Sequence, residues 1–191
     1  MKDRLRTFVA VELCEETRAA LGAEIGRLSA LGADVKWVAP ENLHLTLKFL
    51  GQINRHDVPG ILKALEAGAR ARARFTMETS GLSFFPRPTK PRVVAAGIDE
   101  AGATSLTLLA SAVEEALVEV GFGRDERGFK SHVTLGRVKS PKGIAALSDY
   151  ILTHDGRPFG EDSVESVALV MSELRREGPV YTVLGHAGLA D

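Results

Sequence analysis

A short pattern recurs in this chain at a spacing of nearly half its length. His44-Leu45-Thr46-Leu47 returns 88 residues later as His132-Val133-Thr134-Leu135. Both copies lie in apolar runs with the character of β-strands. Side chains alternate across a strand, so His44 and Thr46 share one face while Leu43, Leu45 and Leu47 share the other. The second copy separates His132 and Thr134 from Val133 and Leu135 in the same way. A helical stretch and a loop precede each copy, which points to two lobes with one signature per lobe. If the lobes face one another, two imidazoles and two hydroxyls line a single cleft.

The rest of the chain fits that frame. Strands are expected at 8–13, 35–38, 43–50, 75–85, 92–98, 132–138, 164–171 and 180–184. Helical spacing appears in Leu21, Ile25 and Leu28, then in Val58, Ile61, Leu62 and Leu65, with Asp57 as a cap. It appears again in Leu106, Leu109, Val113, Leu117 and Val120, and in Ile144, Leu147 and Ile151. Gly32 and Gly121 read as helix stops. The segment Pro86-Arg87-Pro88-Thr89-Lys90-Pro91 and the Glu177-Gly178-Pro179 turn read as loops. Several strands adjoin in sequence, which favours an α+β fold of mostly antiparallel sheet over an alternating parallel one. The expectation is one bilobal domain over residues 1–191, with outer helices and a central cleft.

Two histidines and two threonines facing one cleft match a definite chemistry. Opening a phosphodiester without a metal needs a base to take a proton from water and an acid to protonate the departing oxygen. Histidine titrates near neutrality, so one can be neutral while the other is protonated. Attack and departure lie roughly in line, which puts the two on opposite sides of phosphorus. Thr46 and Thr134 can donate to the non-bridging oxygens, and a cation would steady the growing charge. Lys48 has the strand parity of His44 and is one candidate. Arg137 is another, although its parity opposes that of His132; a bulge or twist at Gly136 would turn it back. One His-x-Thr alone would mean little. Two, each followed by Leu and each in an apolar strand, favour a site over coincidence.

Charge and cysteine content exclude some partners. Lys and Arg number 24 against 25 Asp and Glu, so the strong basic excess of proteins that wrap long nucleic acid is missing. A small anion or an RNA end fits better. Cys14 is the only cysteine, which leaves no internal disulfide and no thiolate metal site. No His-x-His or His-Glu-x-x-His pattern occurs, so no metal or cofactor is expected. His56, His154 and His186 read as surface or incidental. No stretch reads as long enough to span a membrane, and a cytoplasmic monomer is expected. Trp37 and Tyr181 are candidates to stack on a base, whereas Phe49 and Phe84 read as core.

Beyond these features the sequence resembles the 2H phosphoesterase superfamily, and within it the RNA 2',3'-cyclic phosphodiesterases, also called 2'-5' RNA ligases. The resemblance runs through Arg6-Thr7-Phe8-Val9-Ala10-Val11-Glu12-Leu13, Val35-Lys36-Trp37-Val38 and the stretch Pro40 to Gly51 that holds the first motif. It continues in Phe85-Pro86-Arg87-Pro88, Pro91-Arg92-Val93, His132 to Arg137 and Gly178-Pro179-Val180-Tyr181. It implies a bilobal α+β fold and metal-free opening of an RNA 2',3'-cyclic phosphate, or of a small cyclic nucleotide, to the 2'-phosphate. A weak, reversible 2'-5' joining of RNA ends is implied as well. By that resemblance His44, His132, Thr46 and Thr134 form the catalytic set and Arg137 binds phosphate; Lys48, on its strand parity, and Tyr181, on its aromatic ring, are further substrate-binding candidates. His44 is assigned the acid and His132 the base, though the near-symmetry of the motifs does not itself separate them. Two departures stand out. Ser131 replaces the usual proline, which would loosen the approach to His132, and Ala95 replaces a frequent tryptophan, which would widen the pocket.

Overall fold

The structure is a computed structural model that describes residues 4–86, 90–126, 128–154, 156–176 and 178–191. Arg87 to Thr89 of the proline-rich loop, Arg127 and Glu177 lie outside the described residues. The chain runs β1 (Arg4–Glu12), α1 (Glu15–Ala30), β2 (Val35–Trp37), β3 (His44–Asn54), α2 (Val58–Arg70), β4 (Phe75–Phe85) and β5 (Val93–Ile98). It continues with α3 (Glu100–Val118), β6 (Val133–Val138), α4 (Ile144–Thr153), β7 (Pro158–Val164), β8 (Ser166–Leu174) and β9 (Pro179–Gly188). Short 3-10 turns at Pro40–Asn42 and Arg55–Asp57 introduce β3 and α2.

The strands join in the order β7-β4-β5-β6-β3-β1-β8-β9, with β2 on β6. Every pairing between these strands is antiparallel. The expected α+β architecture is therefore present. Its two halves, β9-β8-β1-β3 and β6-β5-β4-β7, meet at one paired step, Leu45 opposite Val133. That pair is fully buried. The halves are held together at the level of the two motifs and diverge on either side of it.

The helices cover one side of this sheet. Helix α2 packs on α3, β8 and β9; α3 on β3 and β4; α1 on β7 and β2; α4 on β4. Helix α1 starts at Cys14, whose sulfur accepts from the Thr17 amide, and Glu15 and Glu16 complement the positive end of its dipole. Leu21, Ile25 and Leu28 are its buried stripe. Asp57 is the N-cap residue of α2, as expected, but its side chain does not bond the helix's first amides. Its carboxylate instead accepts from the Asn54 amide at 3.3 Å, closing the turn before the helix. Helices α2 and α3 touch at Gly68, where a Cβ would come within 2.9 Å of the Ala112 carbonyl oxygen.

Helix α3 is long and apolar enough to cross a membrane by length and composition, contrary to the reading of the sequence. Its stripe of Leu106, Leu109, Val113 and Leu117 is buried in the main core. That stripe packs between the sheet and α2, while most of the rest of the helix, Leu108 included, is not buried. Val120 lies beyond the helix end and is exposed.

Candidate active site

The Leu45–Val133 step carries the two motifs side by side and antiparallel. In that register His44 runs beside Thr134 and Thr46 beside His132. Leu45 and Val133 point into the main core, so the polar residues of both motifs take the opposite face.

Both strands then break their alternation at the same place. Val9 of β1 lies opposite Lys48 and Ala10 opposite Thr46, so Leu47 has no opposite residue. Val94 of β5 lies opposite Gly136 and Ala95 opposite Thr134, so Leu135 has none. An extra residue of this kind shifts the parity of everything after it. Leu47 and Lys48 are both buried, as are Leu135 and Gly136. The residue five places after each histidine, Phe49 in β3 and Arg137 in β6, thereby returns to the face of the motif.

This irregularity decides three expectations. Arg137 comes to the cleft, and its charge acts on both His44 and Tyr181. Lys48 does not. It is 7% exposed, and its ammonium donates to Glu114 at 2.6 Å and to the Gly123 carbonyl at 2.8 Å. Lys48 is a buried tie between β3, α3 and the loop after α3, and its shared parity with His44 is corrected by the bulge. Phe49, read as core, is 63% exposed. Phe84 is core as expected. Trp37 packs on the main core with its ring over Gly136, so it serves the core rather than a base.

The two histidines sit in matching surroundings. Nδ1 of His44 donates to the Asn42 carbonyl at 2.7 Å, and Nδ1 of His132 to the Lys130 carbonyl at 2.8 Å. A carbonyl only accepts, so in each ring Nδ1 carries the hydrogen and Nε2 is left for chemistry. Each ring also lies against a phenylalanine: Phe8 on His44 at 4.7 Å between centroids, Phe85 on His132 at 4.6 Å. The sequence signalled neither role, although both residues lie in segments that carried the resemblance. Asn42 holds the arrangement from outside, since its side-chain amide donates to the Pro179 carbonyl at the start of β9. Strand β9 in turn sets Tyr181 edge-on to His44 at 5.3 Å.

His44 has further neighbours. Burial holds the His44 pKa below the ordinary histidine value; the bond to Asn42 opposes this and the charge of Arg137 adds to it. Nε2 of His44 lies 3.0 Å from the Thr46 hydroxyl. Tyr181 is pushed up by burial, opposed by Arg137 and Arg6. A groove of about 170 Å³ opens beside His44, floored by Ala10 and Val170 and walled by Tyr181 and Asn42. Ala95 is fully buried opposite Thr134, so its small side chain opens no pocket there.

The other three histidines have their own partners, and one of these partners is close to the site, since Glu12 stands opposite His44 in the β1–β3 register. His186 pairs with Glu12 at 2.6 Å, His56 with Asp57 at 3.1 Å, and His154 stacks on Tyr150. Among the described residues no three His, Cys, Asp or Glu side chains converge as metal ligands do.

The chain is similar to known proteins along most of its length. Residues 11–95 match the family described as LigT like phosphoesterase. A curated RNA 2',3'-cyclic phosphodiesterase of Archaeoglobus fulgidus is 37% identical over 177 residues, which cover 93% of this chain and 96% of that protein. One of Thermus thermophilus is 39% identical over 184 residues, 94% of this chain and 88% of the relative. Among solved structures, TT0787 of Thermus thermophilus superposes with a TM-score of 0.77 at 34% identity, covering 96% of this chain and 97% of that one. Escherichia coli LigT complexed with 3'-AMP superposes at 0.74 with 25% identity, covering 98% and 99%.

Proposed function

The chain belongs to the LigT-like phosphoesterases of the 2H superfamily and is a hydrolase of phosphodiester bonds, and we propose that it opens RNA 2',3'-cyclic phosphates to 2'-phosphates between His44 and His132. The observation that carries this reading is the pair of imidazoles on adjacent strands, each with Nδ1 fixed on a carbonyl and each ring backed by phenylalanine. The relatives named as RNA 2',3'-cyclic phosphodiesterases supply the substrate class.

In this reading Nε2 of His132 takes a proton from water, and the water oxygen attacks phosphorus. The P–O3' bond breaks on the opposite side, and Nε2 of His44 gives its proton to the departing 3' oxygen. A 2'-phosphate and a 3'-hydroxyl remain. His44 is assigned the acid; burial and Arg137 favour its neutral form in the free enzyme, so it acts only once protonated. The negative phosphate reloads that proton on binding. Thr46 and Thr134 donate to the non-bridging oxygens, and Arg137 balances their charge. A 5'-hydroxyl in place of water would give a 2'-5' linkage by the same route.

The pH profile tests the assignment. An acid must be protonated to act, so kcat/KM falls as pH rises through the His44 pKa of the free enzyme. That limb is expected below the ordinary histidine value. Tyr181→Ala admits water to His44, weakens the desolvation and moves the limb to higher pH. A limb that stays in place in the variant would remove His44 from the acid role.

A further inference from the structure

The shared bulge brings two unlike side chains to equivalent positions. Arg137 has an evident use there, since phosphate binds guanidinium. Phe49 has none in the mechanism above. It is a large apolar ring, 63% exposed, on a rigid strand. It stands opposite Phe8 in the β1–β3 register, with ring centroids 6.1 Å apart, and Phe8 in turn stacks on His44. On its far side is a polar recess of about 310 Å³, lined by Gly123, Arg124, Asp125 and Glu126 as well as Lys48. The Lys48 charge is already matched by Glu114.

We propose that Phe49 is the stacking platform for the base of the second nucleotide from the RNA end, and that the recess beside Arg124 takes that nucleotide's sugar and phosphate. This rests on the RNA-end reading given above. The terminal nucleotide must lie at His44, because its 3' oxygen receives the proton. Phe8 contacts both the His44 ring and the Phe49 ring, so an upstream nucleotide that continues along β1 and β3 from the His44 site meets Phe49. Every base offers a π-face, so a platform of this kind accepts any sequence. Arg124 supplies one cation, flanked by the carboxylates of Asp125 and Glu126.

The test compares a mononucleoside 2',3'-cyclic phosphate with a dinucleotide carrying the same terminal nucleoside. The quantity read is the ratio of kcat/KM, dinucleotide over mononucleoside. Phe49→Ala is expected to lower this ratio about tenfold, the order of one base stack. Phe49→Leu, which keeps bulk without the aromatic face, lowers it as well, and Phe49→Trp preserves it. Melting curves confirm that each variant is folded. A ratio unchanged in Phe49→Ala overturns the proposal, whether both rates fall together or neither falls. If the native enzyme hydrolyses neither compound, the RNA-end reading fails. The platform is then judged by binding of the corresponding 2'-phosphates: Phe49→Ala should lose the preference for the dinucleotide, and a preserved preference contradicts it.

Discussion

His132→Ala and His44→Ala are each expected to lower kcat by about 10²–10⁴-fold, the range that positioned acid–base groups contribute. The double variant should be little worse than either single one, because the two histidines act on one proton inventory. Their losses should separate on a second substrate. An aryl phosphodiester has a leaving group that departs without protonation, so it does not need the acid. His44→Ala should recover much of its activity on that compound, and His132→Ala should not. Recovery by His132→Ala instead would reverse the two roles. Neither side chain carries the fold: the main core is built mostly from aliphatic residues, with Leu45 and Val133 on the opposite side of their strands from the histidines. Both variants should therefore melt close to the native protein.

The second large effect is on stability. Glu114→Ala leaves the Lys48 ammonium buried with only the Gly123 carbonyl for company. Removing one partner of a fully buried pair costs roughly 3–5 kcal/mol. The Glu114 side chain is 24% exposed, so about 2–3 kcal/mol is expected, or roughly 5–10 °C in Tm for a chain of this size. The effect has a pH signature. The Lys48 hydrogen bond, with the Asp125 amide, holds the Glu114 carboxyl below its ordinary range. A depressed carboxylate contributes stability that is full above its unfolded pKa and is lost as pH falls through the folded one. The gap between native and variant Tm should thus close in acid. Lys48→Met, which keeps the buried stem, should retain kcat/KM within a few-fold while folded. A large activity loss in a folded Lys48→Met protein would return the ammonium to the phosphate.

Lys48, Phe49 and Arg137 also mark where sequence reasoning reached its limit. Alternation in His44-Leu45-Thr46 and His132-Val133-Thr134 was legible because a strand of that length has only two faces. The parity after Thr46 and Thr134 was not, because it depends on how β1 and β5 pair with them. A bulge is a property of two strands. For Arg137 the glycine beside it gave a local hint; for Lys48 there was none, and counting by twos placed it on the wrong face.

Strand β7 was missed for a related reason. Pro158-Phe159-Gly160-Glu161-Asp162 carries little β-propensity. It is a strand because it pairs with β4 under α1. Gly160 leaves room for Thr17 of that helix, and the Asp162 carboxylate accepts from the Cys14 amide at 2.6 Å. Tyr181 was legible as a ring that could stack on a base, but not as a neighbour of His44. What brings it to His44 is the β1–β8 pairing that carries its hairpin and the Asn42–Pro179 bond, both long-range.

The most direct measurement of the central claim is product analysis. Purified protein is incubated, in chelator, with a short RNA ending in a 2',3'-cyclic phosphate, and the 2'- and 3'-phosphate products are resolved. The account predicts the 2'-phosphate alone, at a rate the chelator does not change and that both histidine variants lose. Formation of the 3'-phosphate, or a rate that chelation abolishes, would contradict it.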